Sequence, residues 1–168
     1  IEDESLRALL HGFFPEEGAL KNYWLKHPAA KAMHHNYLGG LLEHTDSVLN
    51  LALDFYRQYP DANRDLIVSG ALLHDIGKMK ELTGMPFCEY TDEGGLLGHI
   101  VLGYQIVDNK IRSDVPEMST LLREQLLHIL LAHHGSYEFG SPKLPSTLEA
   151  LIVHLADNAD AKLKEMSE

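Results

Sequence analysis

Apolar residues recur three and four positions apart along most of this chain, the spacing of one face of an α-helix. Residues 18–28, GALKNYWLKHP, predict a helix stopped by Pro28. Residues 39–60 set Leu41, His44, Val48, Leu51, Ala52, Phe55 and Tyr59 on one stripe and stop at Pro60. A helix follows over 61–77, DANRDLIVSGALLHDIG, with Asp61 as its N-cap and Gly77 as its stop. Residues 83–95, TGMPFCEYTDEGG, read as irregular, and the periodicity resumes in LLGHIVLGYQIVDNKI. The next helix covers 116–135 with Pro116 in its first turn. The last opens on STLE, where Ser146 and Glu149 form a capping box, and runs to the C-terminus. No segment reads as one of a pair of strands, so the pattern predicts an all-α fold.

Certain polar residues do not fit their places in this pattern. His44 lies within an apolar stripe, His74 and Asp75 end another, His99 sits on the apolar side of LLGHIVLGY, His133 and His134 close a fourth helix against Gly135, and Asp157 falls inside ALIVHLAD. A lone histidine on an apolar face is ordinarily a hydrogen-bonded core residue. Seven imidazoles and carboxylates pointing inward from several helices form a set that binds metal ions, and an ion supplies the charge that makes buried carboxylates tolerable.

Composition narrows the setting. At 168 residues and 45% hydrophobic, the chain is long enough for a sizeable core and is expected to form a single domain over 1–168. No apolar run approaches the length of a membrane helix, and the acidic, amphipathic start IEDESLRALLHGFF is unlike a signal peptide. Ile1 in place of Met suggests a trimmed chain with more protein upstream. The single cysteine, Cys88, excludes an internal disulfide and fits a cytoplasmic protein. Fourteen basic against 25 acidic residues give a net charge of −11, so a nucleic-acid substrate would need local positive charge from metals, a few lysines or another domain.

Read as H…HD…D, the residues His44, His74, Asp75 and Asp157 resemble the signature of the HD-domain metal-dependent phosphohydrolases, and HDIGK is among its typical forms. His99, His133 and His134 match the members of that superfamily that hold two metals. More narrowly, AAKAMHHNYLGGLLEHT, ALLHDIGKMKEL and HHGSYEFGSPKLPSTLEALIVHLADNADAKL resemble the catalytic domain of YhaM-type 3′→5′ exoribonucleases, in which an OB-type nucleic-acid-binding domain precedes the HD domain. The resemblance implies an HD helical bundle with the metal site between its helices. It also implies that His44, His74, Asp75 and Asp157 hold one ion, and that Asp75 bridges to a second held by His99, His133 and His134. Imidazole-rich ligands suit Mn, Fe, Co, Ni or Zn better than Mg, and Mn²⁺ is the expected ion. The expected reaction is phosphoester hydrolysis by a hydroxide that two metals activate, with Asp75 and Lys78 at its centre.

His74 and Asp75 are adjacent, and neighbours on a regular helix point about 100° apart, so they converge only if the chain leaves the helix there; Gly77 permits that. Lys78 reads as a phosphate contact, against the alternative of a solvated lysine beyond a helix end. Asp160, one turn after Asp157, either orients a metal-bound water or ligand or pairs with Lys164. His35 is placed ahead of His34 as a substrate contact. Tyr137 and Phe139 offer base-stacking platforms and Lys143 a phosphate contact, against the alternative that the aromatics anchor their loop to the core. His11, His27, His128 and His154 are read as structural.

The implied partners are single-stranded RNA or a nucleotide, with no membrane and with assembly of identical chains left open. A small-nucleotide or cyclic-dinucleotide phosphohydrolase is the competing enzyme, although the GYP motif of one such family is absent. A nucleotide-sensing module without turnover is the competing class. Completeness of the ligand set, with Lys78, favours catalysis.

Overall fold

The side chain of Asp3 accepts a hydrogen bond from the Leu6 amide and so starts α1, Glu4–Phe13, which buries Leu6, Leu9, Leu10 and Phe13 on one face. The computed structural model describes residues 1–29, 37–84 and 86–167. After α1 come α2 (Ala19–Lys26), α3 (Gly40–Gln58), α4 (Arg64–Leu73), α5 (Lys78–Glu81), α6 (Asp92–Asp114), α7 (Thr120–Ala132) and α8 (Leu148–Ser167), with one 3-10 turn at Tyr137–Phe139. No strand forms among the described residues; Leu82 and Tyr90 meet in an isolated bridge. The all-α expectation is met, and no helix is long and apolar enough to cross a membrane among the described residues.

The helix α4 is buried almost all round, and α1, α3, α7 and α8 pack against it. A helix apolar on every side belongs at the centre of a domain. Leu66, Ile67, Ala71 and Leu73 of α4 join Leu41 and Val48 of α3, Leu126, Ile129 and Leu130 of α7, and Ile152 and Val153 of α8 in one continuous core. Its C-terminal end therefore emerges among the ends and flanks of its neighbours, and His74 and Asp75 follow directly.

Helix boundaries depart from the sequence reading where several capping residues compete. Asn63, not Asp61, caps α4, accepting from the Asp65 and Leu66 amides at 3.0 and 3.2 Å. Ser119 caps α7, so Pro116 lies in the turn before it. At α8 the Ala150 amide donates to Thr147 Oγ1 at 3.2 Å, while Ser146 Oγ donates to the Leu144 carbonyl and Glu149 accepts from the Asn63 amide, which replaces the expected capping box. Thr91 caps α6, drawing the end of the expected irregular stretch into a helix that Gly98 then breaks.

Candidate metal centre

Each expected ligand reaches the centre by a local device. In α3, His44 lies on the buried face with Leu41 and Val48. The α4 helix ends at Leu73, and His74 and Asp75 sit in the turn that follows, so the chain leaves the helix there as their convergence requires. Gly77 itself is helical, with φ −63° and ψ −22°; what it provides is room, because a Cβ would lie 1.9 Å from the His99 carbonyl oxygen and 2.6 Å from the Gly103 amide nitrogen. That close approach seats α6 on the turn. Gly98, at φ +72° and ψ 158°, bends α6 in a conformation few other residues adopt, and His99 is the next residue. Beyond the end of α7 come His133 and His134, and α8 contributes Asp157 and Asp160.

These residues, scattered over more than a hundred positions, meet in one place. One group is His44, His74 and Asp157, and a second is His99, His133 and His134, each with donor atoms within 4.8 Å of one another. Asp75 stands between them: Oδ2 lies 3.4 Å from Nε2 of both His44 and His74, and Oδ1 lies 3.5 Å from His99 Nε2 and 3.7 Å from His133 Nε2. Asp157 Oδ1 is 3.2 Å from His44 Nε2 and 3.9 Å from His74 Nε2. The Lys78 ammonium rests 2.6 Å from Asp75 Oδ2.

All five imidazoles turn the same nitrogen inward. Nδ1 of His74, His133 and His134 lies 2.8, 2.7 and 2.7 Å from the carbonyl oxygens of Ala71, Leu130 and Phe139. Nδ1 of His44 and His99 instead meets carboxylates, Asp160 at 2.7 Å and Glu81 at 3.2 Å. A proton on each Nδ1 leaves the Nε2 lone pair facing the centre, the arrangement in which a metal-binding histidine is held by a partner on its other nitrogen. Nε2 of His99 and of His133 is buried with no hydrogen-bond partner. In the first group the donors crowd at 3.2–3.9 Å, the separation expected of atoms each roughly 2 Å from a shared ion, and in the second they lie within 4.8 Å of one another. On this donor chemistry the residues fit two divalent ions.

The electrostatics agree. Burial raises the Asp75 carboxyl, but Lys78, His74 and His44 outweigh it and hold its pKa well below the usual carboxylate range. Asp157 is likewise lowered, against its burial, by His44 first and then by the other imidazoles. Burial disfavours a proton on His44, yet the carboxylates of Asp157, Asp160 and Asp75 raise its pKa well above the ordinary value. Burial also lowers Lys78, but Asp75 raises it further. Within the chain itself, a second proton on His44 Nε2 together with Lys78 thus supplies the positive charge these carboxylates demand, and a bound ion would take the place of that proton and free the Nε2 lone pair. Burial, reinforced by His74, pushes His133 well below its ordinary value, and burial lowers His134 as well, so both rings are neutral donors.

The remaining candidates divide. Asp160 carries His44, and Lys164 pairs with Glu43 at 2.8 Å. Tyr137 and Phe139 are 65% and 64% exposed beside the Phe139 carbonyl that holds His134, which leaves them outside the core. Lys143 is exposed, and His34 and His35 lie outside the described residues. His154, set aside as structural, supports the site through a 2.7 Å hydrogen bond with the His133 carbonyl. Glu81 escaped the sequence reading. Its one signal is that it stands three residues after Lys78, on the same face of a short helix, within a run of charges that otherwise reads as solvated.

The HD domain family model matches residues 41–162 of the chain. Two curated relatives, the 3'-5' exoribonucleases YhaM of Bacillus licheniformis and Bacillus subtilis, are each 43% identical to it over 145 residues, which is 85% of this chain and 45% of the relative. The chain thus spans about half the length of these curated relatives. No solved structure matches it.

Proposed function

This chain belongs to the HD-domain family, and on that premise we propose that it is the hydrolytic core of a 3′→5′ exoribonuclease, releasing nucleoside 5′-monophosphates from single-stranded RNA. The observation that carries the reading is the position of Asp75, with one carboxylate oxygen toward each histidine group. His44, His74, Asp75 and Asp157 would hold one ion, and Asp75, His99, His133 and His134 the other. Divalent ions, when bound there, supply Lewis acidity toward the phosphoryl oxygens and toward an attacking water. We assign Mn²⁺ because the donor set is rich in imidazole.

The chain's own residues then bind and orient. Lys78 reaches the centre as a compact cation beside Asp75 and is placed to contact a phosphate oxygen. Tyr137 and Phe139 present exposed rings for the bases of an arriving strand, and Lys143 a charge for its backbone. With a net charge of −11, the chain would hold long RNA weakly and engage mainly its last nucleotides. In the same reading residues 1–168 form the single hydrolytic domain, and an OB-type domain joined to it would raise the effective RNA concentration without changing the product. The RNA substrate and the lone Cys88 favour the cytoplasm.

The test is product analysis of an end-labelled single-stranded RNA incubated with the chain and Mn²⁺. Mononucleotides from the first time points support the reading, and internal fragments overturn the exonuclease. Absence of RNA cleavage alongside rapid hydrolysis of a free nucleotide or cyclic dinucleotide transfers the function to that substrate class.

A further inference from the structure

Glu81 does two things with one oxygen. Its Oε1 accepts a hydrogen bond from the His99 backbone amide at 3.0 Å and lies 3.2 Å from His99 Nδ1. The first follows from the break at Gly98. A non-helical residue there interrupts the ladder of α6, leaving the next amides in need of partners as at any helix start. The second selects the tautomer: a proton held between Nδ1 and the carboxylate leaves Nε2 unprotonated, buried without a partner, 3.5 Å from Asp75 Oδ1.

The placement of Glu81 is itself fixed. The Thr91 amide donates to the Glu81 carbonyl at 2.9 Å, and the Thr91 hydroxyl donates to the Lys80 carbonyl at 2.7 Å, so the end of α5 is fastened to the start of α6 from both sides. The Glu81 side chain is only 12% exposed, a costly position for a carboxylate that had no partner to hold. The contact also has a counterpart. Of the five imidazoles, His44 and His99 alone among the described residues rest on a carboxylate rather than a carbonyl, and they fall one in each group.

We propose that Glu81 is the positioning residue of the second metal site: its carboxylate restarts α6 after Gly98 and locks the His99 ring with Nε2 toward the ion, making that site's affinity depend on a side chain that does not itself touch the metal. The inference rests on the two-ion reading above. A carboxylate behind a ligand histidine raises its basicity, and loss of such a partner typically weakens metal affinity by about 10–100-fold.

The experiment is a Mn²⁺ titration by calorimetry, with metal analysis after gel filtration, of the wild-type chain and of Glu81→Ala, Glu81→Gln and His99→Ala. Circular dichroism checks the fold of each. The wild type is expected to bind two ions. Glu81→Ala should keep one at unchanged affinity and bind the other about 10–100-fold more weakly. Glu81→Gln, whose amide oxygen can still accept both hydrogen bonds, should fall between, and His99→Ala should lose the second ion. The ring nitrogen shifts of His99 in metal-free protein should report the Nδ1–H tautomer in the wild type and a mixture in Glu81→Ala, a readout that a merely structural role would not move. Two ions bound unchanged by Glu81→Ala, or both weakened equally, would overturn the proposal. Fewer than two ions in the wild type would instead overturn the two-ion reading on which it stands.

Discussion

The two histidine groups are built from different material. His44, His74 and Asp157 come from α3, the end of α4 and α8, which pack on one another around the central core, and both imidazoles are almost fully buried. His99 and His134 stand at the margin. One follows a glycine break in α6, the other precedes the exposed turn at Tyr137–Phe139, and only His133 of that group is completely enclosed. Donors fixed by a packed core lose little freedom when an ion arrives, whereas donors on a break and a loop must be ordered. The first group should therefore hold its ion more tightly, and the second should exchange its ion and face the substrate.

Asp75→Ala is the severest way to break this contrast, because it removes the one carboxylate that faces both groups. Turnover of single-stranded RNA should fall at least about a thousandfold, some 4 kcal/mol in transition-state terms, and both ions should be lost in metal analysis. Asp157→Ala and His134→Ala sharpen the contrast. The first should weaken the tight Mn²⁺ site and lower thermal stability, and the second should weaken only the looser site, by about 10–100-fold in calorimetric titration. Equal effects of the two on both sites would erase the distinction. Lys78→Ala should lower kcat by about 10–100-fold with metal content near normal, the pattern of a lost phosphate contact.

The smallest effect lies away from both groups. Asp108 is disfavoured as an anion by burial, but Arg112 and Arg123, which bond its two oxygens, lower its pKa below the ordinary value. A carboxyl depressed in the folded chain stabilises it above the ordinary carboxylate range, and that contribution is lost as pH falls through the depressed value. Arg123→Ala should lower the melting temperature at pH 7 by a few degrees, the scale of about 1 kcal/mol, with the difference from wild type shrinking below about pH 4. Metal binding should be unchanged.

The contrast also separates what was legible in the sequence from what was not. Inward histidines and carboxylates on apolar stripes were readable because burial of a charge needs a reason, so all seven residues that meet at the centre, and the helical fold, stood out. The supports of the site did not. Asp160 was readable only as one of two alternatives, since Asp157 and Lys164 both lie one turn from it. Glu81 carried only its spacing from Lys78, because its contact with His99 depends on the Gly98 bend and on the seating of α6 at Gly77, which are tertiary facts. The caps were misplaced for a related reason. Asp61 and Asn63, or Ser146 and Thr147, are chemically alike, and only the local backbone decides which oxygen reaches the free amides.

The docking of α8 against α3 also sets an order of events as the chain is made. His99, His133 and His134 leave the ribosome within a few dozen residues of one another, but His44 waits for more than a hundred further residues before Asp157 and Asp160 are synthesised. Contacts so distant in sequence close late in folding, after the local helices have formed. A nascent chain stopped before α8 would own the looser group entire and only part of the tighter one. The group that includes Asp157 is thus the one that cannot be assembled until α8 has been made and docked on α3, while every residue of the other group precedes that helix.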